Sequence, residues 1–199
     1  MKLRSAAAVL LLAALAFGLM WFAPFYRTCG EISACAVRLH IVANSDSEAD
    51  QQVKLLVRDA VLDTTREQMR RVTGTEEAMA VLSGSLNDIE AAADRVLAEA
   101  GFPYTARARL CQMHFDTLRY GDATLPSGAY TALRVELGEA DGRNWWCVMY
   151  PPLCVMAAGE EQQPLLAETF TEEQTEIILG GERYAVRFKL LEWFEKLFG

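Results

Sequence analysis

The longest uninterrupted apolar pattern comes first: from Ser5 to Tyr26 no residue carries a charge, and no polar face recurs at helical spacing. A helix of a soluble domain shows such a face, and about 20 apolar residues suffice to cross a bilayer core of roughly 30 Å. Lys2 and Arg4 precede the run, and no acid occurs before Glu31. A basic flank holds its end of a spanning helix in the cytoplasm, so residues beyond about Arg27 are expected outside it. Three versions of the segment compete. It is an uncleaved anchor, a cleaved export signal using the small-residue pattern Ala14-Leu15-Ala16, or a lipidated leader ending at Ile32-Ser33-Ala34-Cys35. Cleavage at Ala16 would leave Phe17, Leu19, Met20, Trp21 and Phe22 at a new N-terminus, and Arg27 and Glu31 separate the tetrad from the apolar run.

Past the leader the periodicity shortens. Residues 37–43 alternate and then turn wholly apolar, the pattern of a strand with one face and then both buried. Asn44-Ser45-Asp46-Ser47 ends it, and Ser45 with Glu48 has capping-box spacing for a helix to about Val72. Val53, Leu56, Val57, Ala60, Val61 and Thr64 form its inner stripe; Lys54, Arg58, Asp59, Arg66 and Glu67 point mostly outward. Thr75 is placed to cap a second helix from about Glu76 to Ala100, with Leu82, Leu86, Ile89, Ala93, Val96 and Leu97 inward. Gly101 supplies the stop, and Gly84 weakens the helix by about 1 kcal/mol. Two helices joined by a short turn pack antiparallel.

The second half reads mainly as strands. Residues 104–115 alternate, Tyr120-Gly121-Asp122 and Leu125-Pro126-Ser127-Gly128 are turn chemistry, and residues 129–137 alternate again. On that strand Tyr130, Ala132 and Arg134 share one face, and Leu133, Val135 and Leu137 the other. Residues 138–143 have the length of a hairpin connection to an aromatic strand, Asn144 to Tyr150, which Pro151-Pro152 ends. Thr171 with Gln174 caps a short helix ending at Gly180-Gly181, and the tail from Tyr184 to Phe198 reads as a strand merging into an amphipathic helix. The expected fold is α+β: a single domain, 35–199, with a helical hairpin packed on an antiparallel or mixed sheet. An N-terminal transmembrane or signal helix, 1–27, precedes it.

Charge narrows the partners. The formal net charge is −8, and the leader's Lys2, Arg4 and Arg27 leave the domain more acidic still. Nucleic-acid binding rests largely on cations that neutralise phosphates, so no nucleic-acid partner is expected. No cofactor or metal motif is recognisable. Five cysteines in an exported chain make a disulfide plausible, and the odd count leaves one thiol over. If the strand reverses at Pro151-Pro152, Cys147 and Cys154 come within bonding range; the alternative is two small buried hydrophobes. A catalytic Cys147 needs a base, only His40 and His114 exist, and no protease signature surrounds it. Asn44, Ser45 and Asp46 form a polar turn leaving a buried strand, a place where rigid scaffolds present contacts. Trp145 and Trp146 are adjacent and so face opposite ways on a strand; one anchors the core and the other meets a helix, an aromatic neighbour or a partner, the alternative being core packing on both faces.

Several blocks together resemble one family. They are Arg38-Leu39-His40-Ile41-Val42-Ala43-Asn44-Ser45-Asp46-Ser47, then Val53-Lys54-Leu55-Leu56-Val57-Arg58-Asp59-Ala60-Val61, Tyr120-Gly121-Asp122 and Leu125-Pro126-Ser127-Gly128-Ala129-Tyr130. The most specific is Asn144-Trp145-Trp146-Cys147-Val148-Met149-Tyr150-Pro151-Pro152-Leu153-Cys154. The chain thereby resembles the stage II sporulation protein R family of endospore-forming bacteria. The resemblance implies a signalling protein and not an enzyme: made in the forespore, exported into the intermembrane space of the septum, and acting on a membrane-embedded aspartic protease of the mother cell. That protease removes the pro-sequence of sigma-E. The alternative is an exported hydrolase acting at the septal cell wall, which requires a catalytic constellation.

Overall fold

The computed structural model describes residues 2–153 and 162–198; of residues 1–11, 14, 15, 19, 162, 163 and 198 no side chain is described. Helix α1, Lys2–Ala34, is followed by strand β1, Val37–Val42, and helices α2, Glu48–Met69, α3, Thr75–Gly84, and α4, Leu86–Glu99. Strands β2, Ala106–Phe115, β3, Leu118–Tyr120, β4, Ala123–Leu125, β5, Gly128–Leu137, and β6, Asn144–Tyr150, come next. Helices α5, Gln162–Thr169, and α6, Glu172–Leu179, lead through a 3-10 turn, Gly181–Tyr184, to α7, Ala185–Phe198. The result is a mixed α+β domain.

The main sheet has the order β2-β5-β1-β6. β1 runs parallel to β5 and antiparallel to β6, so the sheet is mixed. Because β1 lies between β5 and β6, residues 138–143 do not form the expected hairpin; they carry the chain across the end of β1. β1 is buried along its whole length. A parallel neighbour requires a long crossover, and α2, α3 and α4 supply it. Their apolar faces, including Val53, Val57, Val61, Leu82, Ile89 and Leu97, close over Leu39, Ile41, Leu133 and Val135.

The other side of the sheet is covered differently. Phe25, Cys29 and Ile32 of α1 join Val148 of β6, Leu125 of β4 and apolar residues of α5, α6 and α7 in a second core. α1 therefore continues past the expected leader boundary near residue 27, and its last three turns belong to the domain. Before Phe22 the same helix leaves the protein: Leu12, Phe17 and Met20 are exposed. Among the described residues no helix is long and apolar enough to cross a membrane.

Four local expectations change. Ser47, not Ser45, caps α2, its hydroxyl accepting from the Asp50 amide. Lys54 faces inward and Leu56 outward, reversing their expected places. The second helix is two, broken at Ser85, whose ψ of 1° leaves the helical range and whose hydroxyl bonds back to the Val81 carbonyl. Residues 184–198 contain no strand: the segment is a 3-10 turn and a helix. The Thr171–Gln174 capping box, in contrast, is formed in both directions.

Candidate functional site

The polar turn after β1 is a clamp. Asn44 Nδ2 and the Ser45 hydroxyl both donate to Asp50, and Tyr104 donates to its other oxygen. Burial raises the Asp50 pKa, but the hydrogen bonds from Ser45, Tyr104, Asn44 and Ser47 outweigh it and hold the carboxyl at about 2. Asn44 Oδ1 accepts the Glu139 amide and Asp46 accepts the Arg143 amide, tying this turn to the β5–β6 connection. Lys54 donates to the Arg143 carbonyl at 2.8 Å. The connection must pass very close: a Cβ at Gly142 would stand 2.2 Å from the Ser45 carbonyl oxygen. Of the three candidate contact residues in the turn, Asn44 and Ser45 spend their side chains inward and Asp46 faces solvent, 3.5 Å from Arg143.

Trp145 and Trp146 point to opposite faces. Trp145 packs against the first core under the Arg58 guanidinium, 4.6 Å from its ring centroid. Trp146 stacks on His40 at 3.8 Å, and its ring meets the Phe115 ring edge at 4.9 Å. Both are half-buried. Burial lowers the His40 pKa to about 4 against the opposing Asn144 hydrogen bond, with Arg134 lowering it further.

Arg38 is the residue the sequence reading placed poorly, since an alternating strand start leaves it at a surface. It is fully buried. Its guanidinium lies 4.3 Å from the Phe115 centroid, 4.7 Å from Tyr130 and 5.3 Å from Tyr120. Nη2 donates to the Tyr120 hydroxyl at 2.7 Å, while Nε and Nη1 have no hydrogen-bond acceptor among the described residues. Arginine stays charged at any pH a protein survives, and a buried charge is costly unless well paired. Here ring faces and one phenol do the pairing. The β3–β4 turn at Gly121 and the turn before β5 deliver Tyr120 and Tyr130, so three separate sequence blocks meet at Arg38.

A third polar cluster lines a cleft of about 610 Å³ between α1, α7 and the end of β2. The Ser127 hydroxyl lies 3.2 Å from His114 Nε2 and donates to Glu195, which is itself 3.8 Å from that same nitrogen. A hydrolytic triad needs the serine proton aimed at the imidazole and the acid on its far nitrogen. Here the acid takes the serine proton and shares the near nitrogen, and Ser127 is 1% exposed. The cluster is a structural tie from α7 to the sheet. Sequence spacing gave no sign of it, because its members lie on three distant elements.

Among the described residues no group of three His, Cys, Asp or Glu could hold a metal ion. Cys29, Cys35 and Cys111 are free thiols, and burial followed by Glu195 pushes Cys29 up to about 12. Such a thiol is a poor nucleophile. Cys147 is buried and disulfide-bonded; its expected partner, Cys154, lies outside the described residues.

The sequence profile described as stage II sporulation protein R matches residues 33–160. A protein of that name from Bacillus subtilis (strain 168) is 34% identical over 182 residues, covering 82% of this chain and 81% of the relative. The chain belongs to the stage II sporulation protein R family. No solved structure matches it.

His40 sets a pH dependence. Its folded pKa of about 4 lies below the unfolded value of 6.5, so the unfolded chain takes the proton more readily. The stability it contributes is complete above pH 6.5 and is lost as pH falls toward 4. The loss is about 3 kcal/mol at 1.36 kcal/mol per unit. Urea unfolding at pH 7 and pH 4 measures it: His40→Phe, which keeps a ring over Trp146, should remove most of the difference. Asp50 acts with the same sign in a lower window, between its ordinary 3.8 and about 2.

Proposed function

We propose that this chain is an extracytoplasmic sporulation signal, held at a membrane by α1, that activates a mother-cell aspartic protease by binding its outer face. Membership in the stage II sporulation protein R family carries the reading. The apolar half of α1 that leaves the domain supports it. Activation by binding requires tighter association with the protease's active state than with its inactive one. Asp46 is the member of the candidate contact set with an exposed carboxylate; it accepts the Arg143 amide and lies 3.5 Å from the exposed Arg143 guanidinium.

Co-producing the chain with the protease and the sigma-E precursor in a non-sporulating host should yield the processed factor. Asp46→Arg should lower processing about tenfold through the contact surface while costing about 1–2 kcal/mol of stability, the sum of an exposed ion pair and one backbone hydrogen bond. Equal processing without the chain would end the reading.

The Cys147–Cys154 bond belongs to the same proposal, since an oxidising compartment preserves it. The exported chain, unfolded without reductant, should then show three alkylatable thiols and five after reduction. Five before reduction would remove the bond.

A further inference from the structure

Helix α7 carries two apolar faces. Phe188 and Leu191 enter the second core. On the outer side Val186, Leu190, Trp193 and Leu197 recur at spacings of four, three and four residues, one continuous helical stripe. They are 70%, 40%, 61% and 55% exposed. Among the described residues none covers this stripe.

Its surroundings identify what covers it. At the start of α7, Phe25 meets Tyr184 and Phe188 and Trp21 lies under Arg187; at its other end, Phe22 and Tyr26 both meet Phe194. Between Arg187 and Phe194 α7 advances roughly 10 Å at 1.5 Å per residue, while both ends of that stretch meet the same short segment of α1, Trp21 and Phe25 at one end and Phe22 and Tyr26 at the other. The two helices therefore cross steeply. If α1 stands along a membrane normal, α7 lies in the membrane plane at the level of Trp21. Trp21, Val186 and Arg187 line one open cleft, so the stripe adjoins the exposed apolar surface of α1. Beside the stripe stand Arg187 and Lys196, together with Arg183, which pairs with Glu176 at 3.6 Å, and Lys189, which pairs with Glu192 at 2.9 Å; Glu195 turns into the Ser127 cleft. A cationic rim on a chain of net charge −8 matches anionic headgroups. Tryptophan with flanking cations is the composition of an interfacial helix.

We propose that α7 is a membrane-surface helix, seating Val186, Leu190, Trp193 and Leu197 in the headgroup–acyl boundary of the bilayer that α1 enters. The inference rests on reading α1 as an anchor. It adds a second contact that lays the domain against the lipid and fixes which face looks away.

The test uses the full chain, one copy per nanodisc of phosphatidylcholine and phosphatidylglycerol, with bromine on the upper acyl carbons. Bromine should quench tryptophan emission, and Trp193→Phe and Trp21→Phe should each remove about half of the quenched part. Replacing phosphatidylglycerol by phosphatidylcholine should weaken the Trp193 share about twofold. Quenching that survives Trp193→Phe intact but disappears with Trp21→Phe overturns the α7 contact and leaves the anchor standing. No quenching in any variant overturns both. Shielding of Trp193 only in discs holding two chains would assign the stripe to a second copy and overturn the lipid contact.

Discussion

Three side chains on successive turns of α1, Phe25, Cys29 and Ile32, leave solvent for the interior formed by the sheet and helices α5 to α7. Fully burying a side chain of phenylalanine or isoleucine size contributes about 1.5–3 kcal/mol, and these residues also fill space that α5 to α7 leave open. Separating them from the domain would open a cavity lined by Leu125, Val148, Phe188 and Leu191. The apolar leader helix is thus, over its last turns, part of what the domain folds around. Pro24 sits at the changeover; it withholds one helix hydrogen bond where the surroundings change from exposed to packed. A lipidated version cut before Cys35 would discard all three side chains.

The same economy governs the centre of the sheet. β1 has protein on both faces, so its polar residues must be satisfied from within. His40 is kept neutral between Trp146 and Asn144, and Arg38 keeps its charge inside a ring cage. The family-like blocks lie far apart in the chain because they furnish the neighbours of one strand: Tyr120, Tyr130, Trp145 and Trp146 are all reached from β1. Their chemistry serves architecture, while Asp46 in the β1–α2 turn and the outer face of α7 stay at the surface.

Much of this was legible where the signal is local. The two faces of β5, the opposed tryptophans and the Thr171–Gln174 box follow from periods of two residues and from capping geometry. What escaped depends on distant segments. Strand order is non-local, so residues 138–143 looked like a hairpin until β1 took the place between its arms. Lys54 is inward because the Arg143 carbonyl waits there, 89 residues away. The amphipathic tail holds two apolar faces, Phe188 and Leu191 inward and Leu190 and Leu197 outward, that only the packing of α7 separates. The Ser127–His114–Glu195 tie has no local signature at all.

The central physical claim is that leader and domain are one folding unit joined through the second core. The mass of the mature chain recovered from sporulating cells of its source tests this most directly. The account predicts an N-terminus at or before Trp21, with Phe25, Cys29 and Ile32 retained in the folded protein. A folded, signalling-competent chain that begins at or after Thr28 would contradict it.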